Sequence, residues 1–234
     1  MSDIYNKNKK NMPSLDVYDS FNKFIFSDDI KVLGKLLYRY KFYEKVCKIP
    51  GDIVELGVFK GSGVSTFMKF IEIFHPNSNK KVIGFDLFDS NNDVVDQYIN
   101  GDKMKIVYDR VVSNDLEISS VINNLENTKI DDSKYILVKG DVSKTTKEFV
   151  ENNPGFRISL LYIDLDLDEP CYNSLNNLWD RILPGGIIVF DEYEYHKFDE
   201  SVGVDRFLKD NNKEYEIIST NWIAPTSYMI KKKF

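Results

Sequence analysis

From residue 51 onward, short runs that are apolar almost throughout alternate with stretches of helical period. Residues 53–56, 82–85, 135–138, 158–163 and 187–190 read as strands, and 62–74, 115–125, 144–150 and 172–183 as helices between them. Strands without a polar face are buried on both sides, which predicts a mostly parallel sheet covered by helices on either face. The end of the chain departs from this rhythm. A helix over 202–208 precedes strands at 215–219 and 222–230, joined too tightly for a parallel crossover, so that pair must be antiparallel.

Upstream, two helices are expected between Asp16 and Pro50. The first carries Phe21, Phe24 and Ile25 and the second Val32, Leu36 and Leu37 at helical spacing; the second helix's aromatic stripe, Tyr38, Tyr40, Phe42 and Tyr43, is read as packing on the core. The Asn- and Lys-rich start is expected to be a flexible tail over 1–13, before a helical cap over 14–50 and an α/β domain over 51–234. Residues 90–114 lack a clean period and read as a mobile lid that helps to shape an acceptor pocket.

Thirty-one Lys and Arg, only five of them Arg, stand against thirty-seven Asp and Glu, a net charge of −6 that leaves no basic footprint for nucleic acid. Cys47 and Cys171 are isolated and form no zinc-ligand pattern. A polar start and the lack of any long apolar run lead to the expectation of a soluble, cytoplasmic protein with reduced thiols and no membrane partner.

In sheets of this kind the ligand lies at the carboxyl ends of the strands. The first strand ends in Glu55-Leu-Gly57-Val-Phe-Lys-Gly61-Ser62-Gly63. Gly57 lets backbone approach a ligand closely, and Gly61 and Gly63, with Ser62 between them, open a helix whose first amides can face it. The spacing is neither the GxGxxG of dinucleotide sites nor a P-loop. Glu55 would repel phosphates and suits a cationic ligand. The second strand ends at Asp86, where a carboxylate commonly holds ribose hydroxyls, and the third in Lys139-Gly140-Asp141.

The fourth strand runs into Asp164-Leu-Asp166-Leu-Asp168-Glu169 and the fifth into Asp191-Glu192. Asp168 and Glu169 suit the first turn of the next helix. Asp164, Asp191 and Glu192 converge with no Lys beside them in the sequence, and such hard oxygen donors suit Mg²⁺ or Mn²⁺.

The segments GDIVELGVFKGSGVSTF, GFDLFDS, KGD, LLYIDLDLDEP, LPGGIIVFDEYE and GVDRFL occur in that order. Together they resemble S-adenosyl-L-methionine-dependent O-methyltransferases of the TylF (macrocin O-methyltransferase) type, over about Tyr38 to Ile230. The resemblance implies a Rossmann-like class I methyltransferase fold, a seven-stranded mostly parallel sheet with its last strand antiparallel. It implies methylation of a hydroxyl on a nucleotide-sugar or glycoside. It sets Glu55 and Gly57 beside the amino-acid part of the cofactor, Asp86 at the ribose and Asp141 by the adenine. It makes Asp164, Asp191 and Glu192 the metal ligands and Asp166 a second active-site acid, and it implies a homo-oligomer. The chain departs from the family pattern at Asp168, usually aromatic, at Cys171, often Ser or Thr, and at Glu192, commonly Asp or Asn.

Holding a hydroxyl oxygen, methyl and sulfur in line supplies roughly 7–11 kcal/mol of such a barrier. The proton needs a base, for which Asp164, Asp166 and His196 are the candidates; His196 has the imidazole suited to neutral pH. Asp164-Leu-Asp166 is also a DxD sequence, so a metal-dependent glycosyltransferase is the alternative enzyme class, and a catalytically silent binding domain a third reading.

Overall fold

The computed structural model describes residues 3–12, 14–89, 93–98, 101, 104 and 108–232. Three helices, α1 (Asp3–Lys10), α2 (Leu15–Ile25) and α3 (Ile30–Val46), precede the sheet. Then come β1 (Asp52–Leu56), α4 (Ser62–Phe74), β2 (Val82–Asp86), α5 (Ile118–Glu126), β3 (Tyr135–Lys139), α6 (Val142–Asn152) and β4 (Ile158–Ile163). The chain continues through α7 (Asp168–Leu178), β5 (Ile182–Phe190), α8 (Glu200–Asn211), β6 (Tyr215–Ser219) and β7 (Ser227–Lys231). Strand order is β3-β2-β1-β4-β5-β7-β6; β1 to β5 run parallel and β7 is antiparallel to both its neighbours.

Side chains of the central strands divide by parity, as a period of two requires. Leu161, Ile163, Ile188 and Phe190 pack on α7 and α8 through Leu175, Leu178, Val204 and Phe207. Leu160, Tyr162, Ile187 and Val189 face α3, α4 and α5 through Phe42, Val46, Phe67 and Val121. All six residues of β4 are buried, which is why that segment reads as apolar but for Ser159, whose hydroxyl donates to the Gly51 and Asp52 carbonyls. No helix among the described residues is long and apolar enough to cross a membrane.

The N-terminal region differs from expectation in two respects. Asp3–Lys10, within the expected tail, is helical, with Lys7, Lys9 and Lys10 in the last turn where cations favour the helix dipole; residues 1, 2 and 13 lie outside the described residues. The helical spacing of Val32, Leu36 and Leu37 does not mark the buried side of α3: all three are exposed, because the helix turns its opposite side inward. The aromatic stripe does pack as expected: Phe42 lies on Tyr228, and Tyr43 on Phe70. Gly34 makes room for Trp222, whose Nε1 would lie 2.3 Å from a Cβ there, and Tyr38 donates to the Thr220 carbonyl at 2.9 Å. Of the expected lid, 90–92, 99–100, 102–103 and 105–107 lie outside the described residues.

Candidate active site

The turn from β1 into α4 is built on glycines that tolerate no side chain. Gly57 has φ +86°, and a Cβ on it would come within 2.0 Å of the Asp164 carbonyl oxygen. Gly61 (φ +88°) is the N-cap of α4. A Cβ at Gly63 would lie 1.7 Å from Glu55 Oε1, so the bare first turn of α4 is what leaves room for the Glu55 carboxylate.

Glu55 is fully buried. Its Oε1 accepts a hydrogen bond from Arg39 Nη2 of α3 at 2.9 Å, while its Oε2 and Arg39 Nε have no protein partner. Burial pushes the Glu55 carboxyl up to about 7, with Arg39 pulling the other way. Arg39 also stacks its guanidinium 5.0 Å from the Tyr162 ring centroid.

At the end of β2, Asp86 accepts from the Phe59 and Phe88 amides at 2.8 and 2.9 Å. Both donors sit at positive φ, 54° and 47°, so the backbone is bent around this carboxylate. Burial raises the Asp86 carboxyl above its usual range. Asp141 caps α6 by accepting from the Ser143 amide at 2.9 Å, and it also receives the Tyr98 hydroxyl at 2.8 Å.

Beyond β4 and β5, paired through Ile163 and Phe190, Asp164 and Asp191 are brought side by side. The cation that the sequence calls for between them is, in the fold, the ammonium of Lys35. It lies 2.8 Å from Asp164 Oδ2 and 2.9 Å from Asp191 Oδ2. Burial opposes this charge, but Asp164 and Asp191 outweigh it and hold the ammonium protonated well above its usual range. The second oxygen of Asp191 accepts the buried Tyr162 hydroxyl at 2.6 Å. Glu192 faces Lys31 at 3.6 Å; burial, then Asp191, raises its carboxyl to about 7.

Lys31, Lys35 and Arg39 are four residues apart and therefore share one face of α3. Along that face they meet acids of β5, then β4 and β5 together, then β1. Asp166 lies in the same acidic group at φ +61°, with its buried Oδ1 unpartnered. Burial first, then Asp164, Glu192 and Asp191, push its carboxyl up to about 8. Glu200 of α8 is buried behind it, and its Oε1 accepts from the Glu192 amide at 3.2 Å.

Part of this array lines a cavity of about 310 Å³ at the carboxyl edge of the sheet, with Asp191, Glu192 and Glu200 behind its wall. Glu55, Gly57 and Ser62 lie on one side and Asp86 and Asp141 on another; Lys35, Arg39, Asp164 and Asp166 complete the wall, with Tyr98 and Tyr108 from the expected lid. The residues fit S-adenosylmethionine. An unpartnered Glu55 oxygen can meet an amino group, bare backbone at Gly57 allows close approach, and Asp86 is set to accept ribose hydroxyls. They do not fit a divalent ion with Lys35 where it lies. The ammonium of Lys35 stands between Asp164 and Asp191, where its charge would repel such an ion, and among the described residues no group of three His, Cys, Asp or Glu side chains is disposed to hold a metal.

The structure therefore brings together Glu55, Gly57, Gly61, Ser62, Asp86, Asp141, Asp164, Asp166, Asp191 and Glu192 around one edge. His196 stands apart, exposed in the loop after β5 with its ring 5.5 Å from Tyr195, and it does not line the cavity. Asp168 opens α7 as expected and pairs with Arg206 at 2.9 Å. The sequence reading missed Lys35 and Arg39; their only signal was three cations at four-residue spacing on the helix before the first strand.

The family model for macrocin O-methyltransferase (TylF) matches residues 42–226. Over 147 residues the chain is 29% identical to the 8-demethyl-8-(2,3-dimethoxy-alpha-L-rhamnosyl)-tetracenomycin-C 4'-O-methyltransferase of Streptomyces olivaceus, a match covering 62% of this chain and 54% of that protein. It is 27% identical over 145 residues to the demethyldecarbamoylnovobiocin O-methyltransferase of Streptomyces niveus, covering 62% and 53%. The chain thus spans about half the length of the curated relatives it matches. The solved structure of the calicheamicin methyltransferase CalS11 shares the fold, with TM-score 0.70 and 22% identity over 97% of this chain and 89% of that one.

Proposed function

Because the chain belongs to the macrocin O-methyltransferase (TylF) family, we propose that it transfers the methyl group of S-adenosylmethionine to a hydroxyl of a sugar, carried on a nucleotide or as a glycoside. The observation that carries this reading is the single cavity edge on which Glu55, Gly57, Asp86 and Asp141 lead into the acids Asp164 and Asp166. A cationic amino group, a ribose and a flat ring match the first four, which leaves the last two for an acceptor. The sugar is favoured because a tetracenomycin relative acts on a rhamnosyl 4'-hydroxyl and CalS11 is described as a TDP-rhamnose 3'-O-methyltransferase.

When bound, the cofactor supplies an activated methyl carbon on a sulfonium. The protein's part is to hold the acceptor oxygen in line with that carbon, which is worth roughly 7–11 kcal/mol. The bound sulfonium would be the leaving group for transfer to the hydroxyl oxygen, and the hydroxyl proton would have to be taken by a base of this chain. Asp166 is our candidate for that base, since it lines the cavity and its buried Oδ1 has no protein partner. Asp164 is committed to Lys35, and His196 lies outside the cavity wall.

Calorimetric titration with S-adenosylhomocysteine tests the reading. Micromolar binding that Asp86→Ala weakens supports it. No binding, together with hydrolysis of a nucleotide-sugar in the presence of Mn²⁺, would replace it with the glycosyltransferase alternative.

A further inference from the structure

The ammonium of Lys35 makes ionic contacts of 2.8 and 2.9 Å to two carboxylates on adjacent strands, at a point where one of those carboxylates is fully buried. We propose that Lys35 is the resident cation of this acidic site, standing where sequence reasoning expects a divalent ion, and that it serves as the positive group facing the acceptor oxygen. The inference deepens the methyltransferase reading by naming what counters charge at the acceptor end.

Three observations converge on it. Each oxygen of Asp191 already faces a donor, one the ammonium of Lys35 at 2.9 Å and the other the Tyr162 hydroxyl at 2.6 Å, so positive charge is already supplied to it from within the fold. Lys35 is not a stray surface side chain: it is the middle member of a row in which Lys31 meets Glu192 and Arg39 meets Glu55, so its backbone is held from both sides. Gly34, immediately before it, is packed against Trp222, which fixes α3 at this height over the strand ends. An ammonium has three N–H donors, of which the carboxylates take two. The third is left for the cavity, which Lys35 lines.

With the cofactor bound, that N–H would donate to the acceptor oxygen while Asp166 takes the hydroxyl proton. A lysine places one fixed positive charge there with no need of an ion from solution.

The test is Mn²⁺ titration followed by electron paramagnetic resonance, on the wild type and on Lys35→Met, without cofactor. The wild type is expected to show no saturable Mn²⁺ site. Lys35→Met, which frees both carboxylates, is expected to bind Mn²⁺ about tenfold tighter or more; Lys31→Met, which leaves the Lys35 bridge in place, is expected to behave as the wild type. A saturable Mn²⁺ site in the wild type overturns the proposal, because the lysine then simply moves aside. Failure of the folded Lys35→Met protein to take up Mn²⁺ overturns it equally, since the acids would then be no cation site. Should Lys35→Met not fold, the wild-type titration decides alone. S-adenosylhomocysteine binding is measured separately, so loss of the methyltransferase reading would leave this result standing.

Discussion

Glu55 occupies the space that a methyl group on residue 63 would need, since a Cβ there would lie 1.7 Å from Glu55 Oε1. Gly63→Ala must therefore displace a buried carboxylate from its Arg39 partner. The expected cost is about 1–3 kcal/mol of stability, as for overpacking elsewhere, with a loss of S-adenosylhomocysteine affinity of about tenfold or more. Gly155, where a Cβ would meet nothing within 4 Å, is the control; Gly155→Ala should be neutral or stabilising by up to about 1 kcal/mol. Thermal melts and calorimetry on the two variants check both statements.

Glu55 also gives cofactor binding and apo stability opposite dependences on pH. Its carboxyl, at 4.5 when unfolded and about 7 when folded, binds a proton more tightly in the native state. Its contribution to stability is therefore full below about 4.5 and is lost as pH rises through about 7. An amino group of the ligand needs the ionised form, so affinity should instead rise with pH, by about tenfold from pH 6 to pH 8. Glu55→Gln should flatten both curves.

The strands and their acids were legible because each is a local signal. The fourth strand was read with the bounds it has, 158–163, and the acids that end β1 to β5 meet at one edge as parallel pairing requires. The second half of the site was not legible. Lys35 is 129 residues from Asp164 in the chain, and three cations on a helix read as a solvated face until the fold lays that helix over the strand ends. The last strand begins at Ser227 rather than at 222, because the Thr220 hydroxyl binds the Pro225 and Thr226 carbonyls and holds the intervening residues in a turn. His196 drew attention by its chemistry alone, which carries no information about distance.

The pairing of Arg39 with Glu55 separates stability from binding. Arg39→Met leaves a buried carboxylate without its partner, and about 3–5 kcal/mol of destabilisation is expected. Adding Glu55→Gln removes the orphaned charge and should recover most of that loss in a denaturant melt. Cofactor affinity should not recover, because the acid that would meet the amino group is gone. Recovery of binding in the double variant would show that Glu55 is a structural group only.

Asp166 and His196 are told apart by a single comparison. Asp166 sits at φ +61°, a conformation that asparagine adopts at least as readily as aspartate, so Asp166→Asn keeps the backbone and removes the basicity. If it takes the acceptor proton, kcat should fall about 10²–10⁴-fold with S-adenosylhomocysteine binding unchanged. In the wild type the carboxyl is held up to about 8 by burial and its acidic neighbours, so the rate should climb with pH until about 8 and then level. His196→Ala should leave both the rate and its pH profile as they are, since that ring is exposed outside the cavity wall. A pH profile that shifts with His196→Ala and not with Asp166→Asn would exchange the two roles, and would require the loop after β5 to fold inward when the acceptor binds.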